Sequence, residues 1–339
     1  MKKNKVLLIV LVSLLIITSL GSLYEYITIT KILASNDEIS ETISKETIEQ
    51  ARKSVVTIVS GIDKDNGLRT ADMVVGTGLV YNKEKCYIVT NYHVVKDANF
   101  YIIAADNLSY EAKLVGFDEK MDIAIIAAEN ANLREAKFGD SKKCNVGDKV
   151  FTIGTPLSPS LKNTFLDGVI SGIDRTGLSE YKLIQSNIAS NPGLSGSPLI
   201  NTNGEVIGIN SFQSTEFGSQ SLTFACPSED VIFALDELEK NNKITLPYIG
   251  VDVKENAYPN YGISSISGVI VDTIYPASPA EQAKLMVNDR IVAINGFKID
   301  NKTDYNEFLR TLNADKYLEF SIVRNDENVK IKIKINEKK

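Results

Sequence analysis

A chain of 339 residues has room for two domains, which usually run about 100–200 residues each. Its 43% apolar and 24% charged residues are ordinary for globular material, and a net charge of −6 gives no basic footprint, which excludes nucleic acid as a partner. The three cysteines (Cys86, Cys144 and Cys226) are odd in number and lack metal-ligand spacing. They exclude a disulfide framework and favour free, mostly buried thiols over one bridge plus an orphan.

Taken from the N-terminus, Lys2, Lys3 and Lys5 precede an uncharged run from Val6 to Tyr24. As a helix this run spans about 28 Å, close to the hydrocarbon thickness of a bilayer. Ser19-Leu20-Gly21 would serve a signal peptidase, but the length of the run favours an uncleaved transmembrane anchor over 6–24. With the lysines of residues 1–5 kept cytoplasmic, the working part is extracytoplasmic and the chain is a single-pass protein of the cell membrane. Residues 25–45 read as a stalk, and Ile39, Ile43 and Ile48 recur at helical spacing between Asn36 and Arg52.

From Ser54 to about Pro227 the chain breaks into short β-branched and aromatic runs: Val55–Val59, Tyr87–Thr90, Tyr101–Ala104, Ala124–Ala127 and Val150–Ile153. Such spacing predicts an all-β barrel or sandwich. Asn203-Gly204 between Pro198–Ile200 and Val206–Ile209 predicts a tight hairpin. Glu229–Lys240 has helical composition and ends in Asn241-Asn242. Pro247 then opens a smaller unit, with strands predicted at Val269–Ile274, Arg290–Ile294, Leu318–Val323 and Val329–Ile335 and helices at Ala280–Ala283 and Asp304–Leu312.

The single histidine of the chain, His93, follows the strand-like run Tyr87–Thr90. Asp122 stands at the mouth of the apolar run Ile123–Ile126, where a strand-end cap is the plainer role. Ser195 lies in Asn191-Pro192-Gly193-Leu194-Ser195-Gly196-Ser197-Pro198. That turn could merely join two strands, but its glycines suit acyl transfer. Gly193 lets its own N–H and that of Ser195 converge on an oxyanion, and Gly196 leaves room for substrate beside the hydroxyl. A serine needs an imidazole to remove its proton, and the imidazole needs a carboxylate to fix its tautomer. The order His, Asp, Ser is that of the chymotrypsin-like fold.

These motifs, together with Gly76-Thr77-Gly78, Phe138-Gly139-Asp140-Ser141, Ile153-Gly154-Thr155-Pro156 and Gly204-Glu205-Val206-Ile207-Gly208, resemble the HtrA family of trypsin-like proteases with a C-terminal PDZ domain. The resemblance implies a mainly β chain: a chymotrypsin-like double β-barrel protease domain over 46–240 and a smaller α+β PDZ domain over 247–339. It implies a serine endopeptidase acting on unfolded or damaged extracytoplasmic proteins, with His93, Asp122 and Ser195 catalytic and the Gly193 and Ser195 N–H groups as oxyanion hole. It also implies no metal or organic cofactor and a homo-oligomer, trimer or larger. The family's usual serine loop has Asn where Leu194 stands and Gly where Ser197 stands. Leu194 is expected to alter the loop's anchoring, and Ser197 to add a Cβ near the substrate path.

By the same resemblance Ala189 lies at the base of the primary substrate pocket, with walls from Asn210, Ser211, Phe212, Thr223, Phe224 and Ala225; these favour small or medium aliphatic residues. Tyr248-Ile249-Gly250-Val251 matches the carboxylate-binding loop of a PDZ domain, whose ligand would be a peptide C-terminus added to the sheet edge. The rival reading is a weakly active or inactive holdase or PDZ scaffold of the same fold.

Overall fold

The computed structural model describes residues 42–60, 74–96, 100–104, 106–176, 179, 181–211, 222–244, 246–254, 267–312 and 317–335. The Val6–Tyr24 run and Phe212 lie outside them; among the described residues no helix is long and apolar enough to cross a membrane.

The first element is helix α1, Lys45–Arg52, capped by the Ser44 hydroxyl, which accepts the Thr47 N–H at 3.0 Å. The described part of the predicted stalk helix is therefore this short segment. It buries Ala51, and Thr47 packs beside Gly204.

Strands β1 (Val55–Ser60), β2 (Val75–Asn82), β3 (Tyr87–Thr90), β4 (Phe100–Ile103), β5 (Ser109–Asp118) and β6 (Ile123–Ala127) close into a barrel in the order β1-β2-β3-β6-β5-β4. Its interior is aliphatic, with Ile58, Val80, Ile88, Ile102 and Ile126 buried. A second barrel, ordered β10-β11-β12-β9-β8-β7, uses β7 (Lys149–Gly154), β8 (Thr164–Arg175), β9 (Leu183–Ser186), β10 (Pro198–Asn201), β11 (Val206–Ser211) and β12 (Thr223–Pro227). Closure leaves neither barrel with an exposed edge. Tyr92–Val95 forms a one-turn helix, α2, directly after β3.

The β10–β11 connection departs from the tight hairpin expected of Asn203-Gly204. The Gly204 N–H bonds Asn201 O at 3.0 Å, and the Asn201 side chain accepts from the Asn203 and Glu205 N–H groups, each at 3.0 Å. Asn201 thus acts as a local template for a longer loop, and only Gly204, at φ +79°, takes the left-handed conformation.

Helix α3, Ser228–Asn241, follows β12 and ends at Asn242, left-handed at φ 57°. It buries Val231, Ala234, Leu235 and Leu238, and its Glu239 binds Tyr81 Oη at 3.0 Å and Lys85 Nζ at 2.5 Å. The C-terminal domain is an open sheet of β13 (Val251–Lys254), β14 (Val269–Ile274), β15 (Arg290–Ile294), β17 (Tyr317–Arg324) and β18 (Glu327–Lys334), with the two-residue β16 (Phe297–Lys298) beside β15. Helices α4 (Pro279–Gln282) and α5 (Lys302–Arg310) complete it over a core that includes Val271, Ile291, Phe320 and Ile333.

Helix α5 also joins the two domains. Arg310, its side chain 6% exposed, donates to Asp230 of α3 at 2.5 Å and lies 4.5 Å from the Tyr181 ring centroid. Lys182 bridges to Glu307 at 2.8 Å and Asp304 at 3.2 Å. Burial holds the Asp230 carboxyl above its ordinary pKa, although Arg310 pulls the other way. All three cysteines are free thiols. Burial pushes Cys144 up to about 11 and Cys226 well above the usual range, so neither forms a reactive thiolate near neutrality.

Candidate active site

Pairing of Thr90 with Ala124 brings the end of β3 and the start of β6 together. Asn91, Tyr92 and His93 therefore arrive beside Asp122, although 29 residues separate His93 from Asp122 in the chain. Asp122 takes a left-handed φ of 54°, unusual for a residue with a side chain, and three contacts hold it there. Its carbonyl accepts from Asn91 Nδ2 at 2.8 Å and from the Tyr92 N–H at 3.2 Å, and its Oδ1 accepts the His93 backbone N–H at 3.0 Å.

The remaining carboxylate oxygen, Oδ2, meets His93 Nδ1 at 2.7 Å and accepts from Ser211 Oγ at 2.9 Å. Asp122 is 7% exposed, so its charge is held by these donors with little help from water. A carboxylate facing Nδ1 makes that nitrogen the donor in neutral imidazole and leaves Nε2 as the acceptor. The His93 side chain keeps 27% of its surface, enough for a substrate group to approach.

Ser195 lies in the turn between β9 and β10, mounted on both barrels. Its carbonyl accepts the Thr77 N–H of β2 at 2.9 Å, and the next N–H, of Gly196, reaches Asn210 O of β11 at 2.9 Å. Successive residues of β11 therefore hold the two parts of the site, Asn210 the serine turn and Ser211 the Asp122 carboxylate. The serine turn and the Asp122 carboxylate are thus tied to neighbouring residues of one strand.

Both glycines of the turn are sterically required. At Gly193, φ +96°, an added Cβ would stand 2.2 Å from Thr155 O; at Gly196, φ +83°, it would stand 2.1 Å from Thr77 O. The reading of Gly196 as room for substrate is thus corrected: its missing side chain lets the turn seat on β2. The Thr77 hydroxyl donates to Gly193 O at 2.8 Å and accepts the Thr155 N–H at 3.0 Å, while the Leu157 N–H holds Pro192 O at 2.7 Å. These bonds fix the peptide planes on both sides of Gly193. A fixed Gly193 N–H is what an oxyanion hole needs, because its donors must be aimed before charge develops.

The departures in the serine loop fall inside the protein. Ser197 is fully buried and its Oγ accepts from Thr152 Oγ1 at 2.9 Å and Asn210 Nδ2 at 3.0 Å, so it tightens the second barrel and does not border a substrate path. Leu194 is equally buried, within reach of Gly154.

The residues expected to form the pocket divide between the two faces of the β11–β12 pair. In the β11–β12 register Asn210 faces Ala225, and Ser211 faces Phe224. Asn210, Thr223 and Ala225 are 0–1% exposed and turn into the barrel, with Thr223 Oγ1 donating to Ile188 O at 2.8 Å. Strand alternation leaves Ser211 and Phe224 as the side chains on the outer face, and Ala189 is exposed. Thr77, Asn91 and Thr155 were not anticipated as site residues. Thr77 and Thr155 stand in motifs that carry the resemblance, but their roles depend on partners far along the chain, such as Gly193 O for the Thr77 hydroxyl.

A pair of closed six-stranded barrels defines a trypsin-like peptidase domain, and the sequence profile of that name matches residues 76–209. The PDZ domain profile matches residues 247–335, which hold the Tyr248–Val251 loop. The chain is similar to serine proteases of the HtrA family. It is 38% identical over 254 residues to the serine protease Do-like HtrB of Bacillus subtilis (strain 168), covering 69% of this chain and 56% of that one. Against the serine protease Do-like HtrA of the same organism it is 34% identical over 285 residues, covering 78% of this chain and 64% of the relative. The chain thus spans less than two thirds of the length of these curated relatives. The fold is shared with the HtrA-type protease AlgW with decapeptide (TM-score 0.70, 23% identity, covering 86% of this chain and 97% of that one).

Proposed function

We propose that the chain is a serine endopeptidase in which Ser195 attacks the scissile carbonyl, His93 accepts and then returns the proton, and Asp122 holds the imidazole. The observation that carries this reading is the Asp122 carboxylate, bonded at once to His93 Nδ1 and to Ser211 Oγ, next to the strand residue that seats the serine turn. With Nδ1–H donated to Asp122, Nε2 offers its lone pair to the Ser195 hydroxyl. The N–H groups of Gly193 and Ser195 receive the oxyanion of the tetrahedral intermediate. Purified protein should digest reduced, unfolded casein and lose that activity on treatment with diisopropyl fluorophosphate, with the added mass on Ser195. Digestion that persists after complete Ser195 labelling overturns the assignment.

Unfolded extracytoplasmic proteins are the proposed substrates, in line with relatives named probable periplasmic serine endoproteases. The C-terminal domain is proposed to bind peptide C-termini, the active form to be a homo-oligomer, and Val6–Tyr24 to anchor the chain in the cell membrane. Intact mass of the native protein tests the anchor: a mature chain starting near Ser22 would show a cleaved signal peptide instead. The holdase alternative drew on Leu194 and Ser197, and both are accommodated in the interior of the fold.

A further inference from the structure

Four consecutive carbonyls of the serine turn are each held by a donor. Pro192 O accepts the Leu157 N–H at 2.7 Å and Gly193 O the Thr77 hydroxyl at 2.8 Å. Leu194 O accepts the Ser197 N–H and Ser195 O the Thr77 N–H, each at 2.9 Å. In a trans peptide the N–H points opposite to the C=O, so fixing these oxygens aims the N–H groups of the same planes. Two of those groups, on Gly193 and Ser195, are the oxyanion donors, and among the described residues neither donates to another backbone oxygen. Thr77 thus supplies half of the bonds that aim the hole, and its hydroxyl is the only side chain among the four donors.

The plane held by this hydroxyl lies between the two donor planes. Its orientation sets ψ of Gly193 and φ of Leu194, the torsions that relate the Gly193 N–H to the Ser195 N–H. Glycine restrains its own backbone less than any other residue, and Gly193 sits at φ +96°, so the turn itself opposes rotation of that plane weakly. The other bond on the plane, from the Leu194 N–H to Asn191 O at 3.2 Å, stays within the turn and moves with it. The Thr77 hydroxyl instead ties the plane to β2, in the other barrel.

Thr77 is itself fixed. It is fully buried, its hydroxyl accepts the Thr155 N–H at 3.0 Å, and its carbonyl accepts the Thr90 hydroxyl at 2.7 Å. A hydroxyl has one hydrogen to give, and here it goes to Gly193 O. Thr155 Oγ1 in turn meets Thr57 Oγ1 of β1 at 2.6 Å, so a row of buried threonines joins the barrels behind the turn.

We infer that Thr77 is a positioning residue for the oxyanion hole, its hydroxyl reaching from one barrel to hold the Gly193–Leu194 peptide of the other. The inference rests on the serine endopeptidase reading and adds the side chain on which the aim of the hole depends. Misaimed donors lower kcat and spare substrate binding, because they are needed only when charge develops on the oxygen.

Thr77→Val keeps the shape of the side chain and loses the hydroxyl. On a peptide anilide it should lower kcat about a hundredfold, with KM changed no more than about twofold. A peptide aldehyde reads the hole directly. Ser195 Oγ adds to its carbonyl carbon, the serine proton passes by way of His93, and the former carbonyl oxygen lies where the oxyanion forms; the corresponding alcohol only occupies the site. In Thr77→Val the aldehyde should bind about tenfold more weakly and the alcohol as in the wild type. Thr77→Ser should restore kcat and the aldehyde preference. Thr57→Val removes a buried hydroxyl whose bond goes to Thr155 Oγ1, and should lower the thermal midpoint while leaving the aldehyde-over-alcohol ratio unchanged. If Thr77→Val does not fold, Thr77→Ala carries the same expectation. An unaltered kcat and ratio in the folded variant overturns the assignment of Thr77 alone, as does an equal loss of the ratio in Thr57→Val. Equal binding of aldehyde and alcohol to the wild-type chain overturns the endopeptidase reading, and this inference with it.

Discussion

Ser195→Ala should lower kcat on a peptide substrate by roughly a millionfold while leaving the fold and the thermal midpoint essentially unchanged. The two effects separate because the bonds that seat this turn come from the backbone. The Ser195 carbonyl takes the Thr77 N–H at 2.9 Å, and the neighbouring Gly196 N–H goes to Asn210 O at 2.9 Å; neither involves the hydroxyl. A residue 6% exposed and as small as serine leaves almost no void when it loses one oxygen. The hydroxyl is nevertheless the only nucleophile the mechanism has, so the covalent step disappears with it. Single-turnover kinetics with a chromogenic peptide, alongside a melting curve, read both quantities. Retention of more than about a thousandth of the wild-type rate would place the nucleophile elsewhere.

Asp122→Asn should lower kcat about ten-thousandfold with little change in KM. The carboxylate serves three donors: the His93 backbone N–H at Oδ1, and His93 Nδ1 and Ser211 Oγ at Oδ2. An amide has one oxygen and one NH2 in that place. If its oxygen keeps the backbone N–H, the NH2 faces Nδ1 and forces the imidazole to accept there. The ring proton then sits on Nε2, where it meets the serine hydroxyl donor to donor, and general-base catalysis fails. If the amide turns the other way, the NH2 opposes the part-buried His93 N–H, which costs about 1 kcal/mol of stability. Urea denaturation distinguishes the two orientations, and kcat should fall in the first. The double variant Ser195→Ala, Asp122→Asn should be hardly slower than Ser195→Ala alone, because the two residues act in one step. Additive losses would mean that Asp122 works independently of the serine.

Much of the local architecture was legible because strands and helices announce themselves over short windows. Val269–Ile274 and Arg290–Ile294 were predicted with the bounds the structure shows, and the helix expected at Glu229–Lys240 is α3, Ser228–Asn241. Strands such as β2, β5 and β8 escaped because their apolar positions are interrupted by glycine or charge. What completes them is their barrel neighbours, and a local pattern does not contain those.

The chemistry of the site was readable from residue type. One histidine, a carboxylate at a strand mouth and a serine between glycines limit what the chain can do, because few side chains can move a proton or attack a carbonyl. Which side chains support them was decided only in three dimensions. Ser211 meets Asp122 across 89 residues of chain, and Thr77 Oγ1 reaches Gly193 O across 116. The inward turn of Asn210, Thr223 and Ala225 depends on strand register, where a shift of one residue would reverse every side chain. Arg310 reads in the sequence as an ordinary basic residue at a helix end, yet it lies buried against Asp230 and Tyr181. A side chain's identity limits the bonds it can make, but its partners are chosen by packing between segments far apart in the chain, and these exist only once the barrels have closed.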